Sequence, residues 1–399
     1  MASVCAQPPP NNDLLHNPKQ EELTDMSETK KEELMTTSSS FVDGTKGELI
    51  YRGYDIRDIG PNATFEEIIY LLWNDKLPNA HELSLLKVAL ESKRALPDLL
   101  LNVMRGFPWD AHPMAVLRTA TSALGLLDRN ADNITIDGAR EKALLLTAVI
   151  PTMVAAWERL RNGHDPIAPR AGLGHAANFL YMLNGEEPNP DAVAALDSYL
   201  VLLADHGFNA STFSARVTTS TGADVYSAIV SAMGTLKGPA HGGATQRAME
   251  QFIDAAQHGD VAQWFTEARA AGKRIMGIGH RIYKVEDPRA RILRPLAEKL
   301  ANSSGTSEWF GIARDIEGLA RQDEYFIERD LYANVDYYSA VVLYTIGLPV
   351  DQFTCTFAMS RIAGWCSQVL EQLADNRLIR PKEGYVGKRD QVFVPLAER

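Results

Sequence analysis

The chain has 399 residues, 45% apolar and 23% charged, the composition of a globular protein and not of a disordered or fibrous one; the length predicts two domains. The formal net charge of -11, from Lys+Arg 40 against Asp+Glu 51, argues against nucleic acid and anionic membrane surfaces, which require basic patches. Cys5, Cys355 and Cys366 show no Cys-x-x-Cys spacing, which argues against a disulfide framework or a cysteine zinc site and fits a reducing compartment.

Residues 1–35 read as a mobile arm, with Pro8-Pro9-Pro10 and Asn11-Asn12 followed by polar residues without periodicity. The first arginine is Arg52, and Asp13, Glu21, Glu22 and Asp25 lie in the arm. This is unlike an Arg-rich presequence or an apolar secretory signal, so a cytoplasmic location is expected. Ser40 to Tyr51 then reads as a small β-hairpin, with Asp43-Gly44 supplying the positive φ of a tight turn.

Almost everything later reads as helix. Thr64-Phe65-Glu66-Glu67 and Asn79-Ala80-His81-Glu82 are capping boxes before apolar runs. Further helices are predicted over 113–127, 140–160, 173–183, 190–206, 225–236, 245–256, 288–301, 308–321, 336–346 and 356–374. The longest apolar stretch, Ala143 to Trp157, is interrupted by Pro151 and falls short of the roughly 20 residues that span a bilayer. The expected fold class is all-α. Pro and Gly clusters near 238–243 and 347–350 are places for a domain hinge.

No His-Glu-x-x-His pattern or His–Cys pairing suggests a metal. Two histidines sit among glycines, in Gly238-Pro239-Ala240-His241-Gly242-Gly243 and Gly277-Ile278-Gly279-His280. Glycine lets backbone approach a ligand and leaves an imidazole accessible, but two turns whose histidines cap helices give the same pattern. Gly277-x-Gly279 lacks the third glycine and the preceding strand of a dinucleotide loop. The run Arg281 to Arg289 suits an anionic ligand, or else a charged loop entering a helix at Pro288. Asp336 precedes an apolar helix, so it is either an N-cap or, in apolar surroundings, a base with a raised pKa.

Taken in order, these segments resemble the citrate synthase family. The blocks are Asp205-His206-Gly207-Phe208-Asn209-Ala210-Ser211-Thr212-Phe213, Gly238 to Ala244, Gly277 to Arg281 with Asp287-Pro288-Arg289, Asn334 to Ser339, Phe357 to Trp365, and Arg380-Pro381. The likeness runs from about Ser40 to Arg399. It implies an all-α homodimer, each chain having a large domain (36–241 and 345–399) and a small domain (242–344), with the site in the cleft between them.

The resemblance implies that Asp336 is the base for the acyl-CoA α-proton. His241 would be the partner of the thioester oxygen, and His280 the donor to the oxaloacetate ketone. His206, Asn209, Arg289, Phe357 and Arg361 would form the oxaloacetate set, joined by Arg380 of the neighbouring subunit. Coenzyme A would be held by the backbone of Ile275, Met276, Gly277, Ile278 and Gly279 and by the Lys284 side chain. No metal or redox cofactor is implied, since acyl-CoA is itself a substrate.

Some positions depart from the family pattern. Leu203 stands where a histidine is common, Ala240 where a leucine is, Thr245-Gln246 for Asn-Glu, Cys355 for proline, and Ser367-Gln368 for Ala-His. The Asn209 to Phe213 block suits a 2-methylcitrate synthase as well, and Ala240 would enlarge the space near the acyl group. A non-catalytic binding paralogue and a citryl-CoA lyase are the other readings.

Overall fold

Ser40–Asp43 (β1) and Glu48–Tyr51 (β2) pair antiparallel in the expected hairpin, with Ser40 opposite Tyr51. A short third strand, Tyr54–Asp55 (β3), extends it into a small sheet. The computed structural model describes residues 35–399, so the arm predicted over 1–35 lies outside the described residues but for its last position. Thr37–Arg399 pack as one unit.

The turn differs from the Asp43-Gly44 expectation. Positive φ occurs at Gly47 (65°), while Asp43 Oδ1 accepts from Thr45 N, Thr45 Oγ1 and Lys46 N at 2.9, 2.6 and 3.1 Å. Gly44 is small for another reason: a Cβ there would lie 2.1 Å from Ile282 O. The hairpin tip therefore abuts the segment after His280, and Lys284 N donates to Gly44 O at 2.8 Å.

Among the described residues, everything else regular is helical, as predicted. Both capping boxes form: Glu67 Oε2 accepts from Thr64 N at 2.7 Å, and Glu82 and Asn79 bond reciprocally at 2.9 Å. Predicted helices 113–127 and 225–236 coincide with Pro113–Leu127 and Val225–Leu236. Asp98–Arg105, Ala210–Ser220 and Val261–Ala270 are helices that the sequence reading did not single out.

The apolar stretch around Pro151 is not interrupted. Ile136–Arg161 is one helix of 26 residues running through Pro151, long and apolar enough to cross a membrane. Its apolar window is 78% buried within the protein, which makes it a core helix here. Pro151 removes one backbone donor, a cost that surrounding packing outweighs.

Helix Phe353–Ala374 is buried along most of its length and packs on Ile136–Arg161, Ala210–Ser220, Phe65–Asn74 and Pro190–Leu203. Each fully buried Leu, Ile or Phe in this core contributes roughly 2 kcal/mol. Helix Val335–Thr345 packs against Pro288–Ser303 and Ala244–His258, and Pro288–Ser303 in turn packs on Pro190–Leu203. These helices supply the elements that carry the predicted site residues.

Candidate active site

The sheet fixes the His206 segment. Tyr51 Oη lies 2.9 Å from Asp205 O and accepts from Asp205 N at 3.2 Å. Ser40 Oγ donates to Asp205 Oδ2 at 2.7 Å and accepts from Gly207 N at 2.8 Å. Helix Phe353–Ala374 closes on the same segment at Gly364, where a Cβ would meet Ala204 O at 2.2 Å. That approach carries Arg361 to Leu203 O, to which its Nε donates at 2.7 Å. The Leu203 side chain is fully buried, so the backbone carbonyl is what this position offers the site.

Arg361 is 2% exposed, and among the described residues no carboxylate pairs with it. Burial pushes its pKa down, an effect partly opposed by the field of buried Asp205, yet a guanidinium stays charged. A buried cation without a counter-ion is costly. It marks a place for an anion from outside the chain. Arg289, equally buried, is paired: its Nε and Nη2 donate to Asp287 at 3.0 and 2.8 Å.

Three imidazoles gather near these cations. His206 and His280 meet edge to face at 5.8 Å, and Tyr283 packs on both, with His206 Nε2 3.1 Å from Tyr283 Oη. Tyr283 is a site residue the sequence reading left in the charged run. Its spacing of three from His280 was the available signal, and its phenol is raised by burial. His241 lies beside Phe357, whose ring in turn stacks under Arg361 at 4.6 Å.

Their protonation follows from the surroundings. His280 Nδ1 accepts from Ile282 N and Tyr283 N, both at 3.1 Å. The proton of the neutral ring therefore sits on Nε2. Burial, then Arg289, pushes His280 down to about 4, and burial with Arg361 does the same for His241. His206 is held well below its usual value by burial, Arg289 and Arg361. All three are neutral near pH 7.

His241 is not a helix cap; Gly243 caps Ala244–His258. Its Nε2 is 2.9 Å from Ser211 Oγ, which takes a bond from Trp365 Nε1 at 3.1 Å and lies 2.7 Å from Asn209 Oδ1. Asn209 caps Ala210–Ser220, its Oδ1 accepting from Ser211 N and Thr212 N and its Nδ2 donating to Gly207 O and Thr212 Oγ1. Its polar atoms are thus engaged within the protein.

Asp336 is not the N-cap either. Asn334 takes that role, accepting from Asp336 N at 3.0 Å, and so leaves the Asp336 carboxylate free of it. Asp336 Oδ1 accepts from Thr245 Oγ1 at 2.6 Å, and among the described residues Oδ2 has no protein donor. Burial raises the Asp336 pKa, against the opposing Thr245 bond and the fields of Arg289 and Arg361. A buried carboxylate with a raised pKa and one oxygen not engaged by the protein has the chemistry of a general base.

The predicted coenzyme segment is tied to this base. Ile278 bridges Ala333, Gly279 N donates to Tyr332 O at 2.7 Å, and Asn334 Nδ2 donates to Gly279 O at 2.8 Å. Gln251 brackets Met276, donating to its O and accepting from its N at 3.2 and 2.8 Å. Ile275 is buried and Lys284 exposed. Arg380 stands apart, exposed on the irregular segment after Ala374.

Comparison with known proteins agrees with this geometry. A family model described as citrate synthase, C-terminal domain, matches residues 29–382. The chain is 46% identical to a citrate synthase of Haloferax volcanii, covering 90% of this chain and 95% of that one. It is 45% identical to citrate synthase 2 of Bacillus subtilis over 91% and 96%, and 37% identical to a 2-methylcitrate synthase of Mycobacterium tuberculosis over 90% and 89%. Among solved structures, citrate synthase from Pyrobaculum aerophilum superposes with a TM-score of 0.85 at 36% identity, covering both chains fully (100% and 100%). So does the ternary complex of Thermoplasma acidophilum citrate synthase with carboxymethyl coenzyme A and oxaloacetate, at TM-score 0.85, 33% identity and coverage of 92% and 98%. On the extent of the family match and the identity of these relatives, the chain belongs to the citrate synthase family.

Proposed function

We propose that this enzyme condenses acetyl-CoA with oxaloacetate and hydrolyses the resulting thioester to citrate and free coenzyme A. The observation that carries this reading is the unpaired, buried Arg361 among three neutral imidazoles, with the Asp336 carboxylate close enough for its field to matter. Oxaloacetate brings two carboxylates to such a site, and Arg361 and Arg289 are the cations that answer them.

Asp336 removes a proton from the acetyl methyl group. The C–H electrons form the enol double bond as charge moves to the thioester oxygen, where His241 donates. That role needs a proton on His241 Nδ1 with Nε2 accepting from the Ser211 hydroxyl, which would turn to it from Asn209 Oδ1. A neutral donor fixed in this way stabilises the forming charge without reorganisation. The enol carbon then attacks the oxaloacetate ketone, whose oxygen takes the proton from His280 Nε2. Water finally hydrolyses the thioester. Segment 242–344 closes over the substrates as the small domain and excludes water until the carbon–carbon bond is made.

Coenzyme A lies along Ile275–Gly279 with Lys284 at a phosphate, and Arg380 reaches the partner's site in a homodimer. The reaction calls on no metal or redox cofactor, and the expected setting is the cytoplasm.

The test is coenzyme A release with oxaloacetate, comparing acetyl-CoA and propionyl-CoA. Acetyl-CoA preference supports the proposal. Propionyl-CoA preference makes the enzyme a 2-methylcitrate synthase, a second reading favoured by the small, exposed Ala240 next to His241. One methylene is worth only about 1–3 kcal/mol of discrimination, so measurable propionyl-CoA turnover is expected in either case. No release with either thioester would point to a binding paralogue.

A further inference from the structure

Thr245 occupies the second position of helix Ala244–His258, four residues after His241, and is 1% exposed. Its hydroxyl spans to another element, donating to Asp336 Oδ1 at 2.6 Å in the first turn of Val335–Thr345. We infer that Thr245 is a positioning residue for the condensation, aiming the Asp336 carboxylate and tuning its basicity. The inference rests on Asp336 being the base.

Three arguments support it. A carboxylate on a short side chain can rotate about its last bond, and either oxygen could face the substrate. With Oδ1 bound by Thr245, Oδ2 is the oxygen left for the methyl proton. The hydroxyl is itself constrained, because a β-branched residue has few χ1 choices in a helix and this one is enclosed by protein. Asn334 fixes the backbone of Asp336 from the other side, so the base is held at two points.

The bond also links the two halves of the proton transfer. His241 lies three residues before the helix bearing Thr245, and Asp336 stands on the helix packed against it. The hydrogen bond therefore ties the group that takes the proton to the element that follows the group receiving the charge. Misplacement by a fraction of an ångström between such groups is costly to rate.

The third argument is electrostatic. The groups facing Asp336 are Arg289 and Asp287 from the start of Pro288–Ser303, Arg361 from Phe353–Ala374, and Tyr199 from Pro190–Leu203. Glu317 faces the far side of Val335–Thr345, bonded to Tyr338 Oη. Of these groups none donates a hydrogen bond to Asp336; Thr245 alone does, among the described residues. It stabilises the carboxylate form and so opposes the upward push of burial. Removing the hydroxyl makes Asp336 a base that is protonated at higher pH and less well aimed.

The experiment compares wild type, Thr245→Val, Thr245→Ser and Asp336→Asn in the full chain, by coenzyme A release from acetyl-CoA and oxaloacetate across pH. A hydrogen bond to a charged group is strong enough that Thr245→Val should lower kcat about tenfold or more. The acid limb of its kcat profile should move up by about one pH unit. The KM for oxaloacetate should change by less than about twofold, since Thr245 makes no contact with the arginines. Thr245→Ser should recover turnover to within about threefold of wild type, a rescue that a packing role would not give. If Thr245→Val does not fold, Thr245→Ala carries the same comparison.

An unmoved acid limb and wild-type kcat in Thr245→Val, with Asp336→Asn inactive, would overturn the positioning role alone. So would a serine variant no better than valine. Wild-type turnover in Asp336→Asn would overturn the reading of the base itself, and this inference with it.

Discussion

Arg361 sets the chemistry of the site most directly. Without ligand it is a buried cation whose nearest compensation is the more distant Asp205. Replacing such a group by an apolar one of similar volume is often neutral or stabilising. Arg361→Met should therefore melt within a few degrees of wild type, or higher, while raising the KM for oxaloacetate by roughly 30-fold or more; calorimetry and steady-state kinetics read the two effects. At the same scale, rate should follow the ionisation of Asp336. Its pKa is raised by burial, so activity should fall as pH drops through a value above the ordinary aspartate range. His241 and His280, pushed down to about 4, stay neutral through the ordinary histidine range. The pH–kcat profile should accordingly show no alkaline-side loss of rate as pH rises through the ordinary histidine value near 6.5. A loss of rate on the alkaline side there would show that a protonated imidazole is required.

The elements show which parts of the sequence spoke clearly. Helices 113–127 and 225–236 announce themselves through Pro113 at a first turn and Asp224 as a cap, each before an apolar run. Ala210–Ser220 does not, because Ser and Thr fill it and its burial rests on small residues; only the Asn209 cap signals it. Asp336 was legible as a helix-start carboxylate, but the choice between cap and base depended on Asn334 taking the cap, a decision made by backbone geometry rather than by spacing. Tyr283 was hidden for a similar reason. Its place between His206 and His280 is a product of tertiary packing. Gly364 illustrates how tightly two elements can be joined: a methyl group there would sit 2.2 Å from Ala204 O. Gly364→Ala should cost about 1–3 kcal/mol of stability and displace the His206–Arg361 pair, lowering kcat/KM. Denaturant unfolding and kinetics on the same preparation check both.

The whole molecule adds what one chain cannot supply. Arg380 lies on an exposed irregular segment, far from burial, and its proposed role is in the partner's site. The proposed homodimer, closed by a two-fold axis, would make that role testable by complementation. Arg380→Ala and Asp336→Asn should each be nearly inactive alone. Mixed after dissociation, random pairing puts both intact groups in one site of each hybrid dimer, so about a quarter of wild-type activity should return. No recovery would mean that Arg380 serves its own chain or none.

Leu203 shows what such construction leaves open to inheritance. Arg361 is anchored by the main-chain oxygen of residue 203, and His280 by the main-chain N–H groups of Ile282 and Tyr283. Every residue type brings that carbonyl, and every type but proline brings those N–H groups. The anchoring itself therefore asks nothing of the side chains at 203 and 282, provided the backbone keeps its course, whereas the Tyr283 side chain is held by its bond to His206. A leucine at 203 can replace a histidine without the arginine losing its hold, and the active site outlives changes in its own immediate sequence.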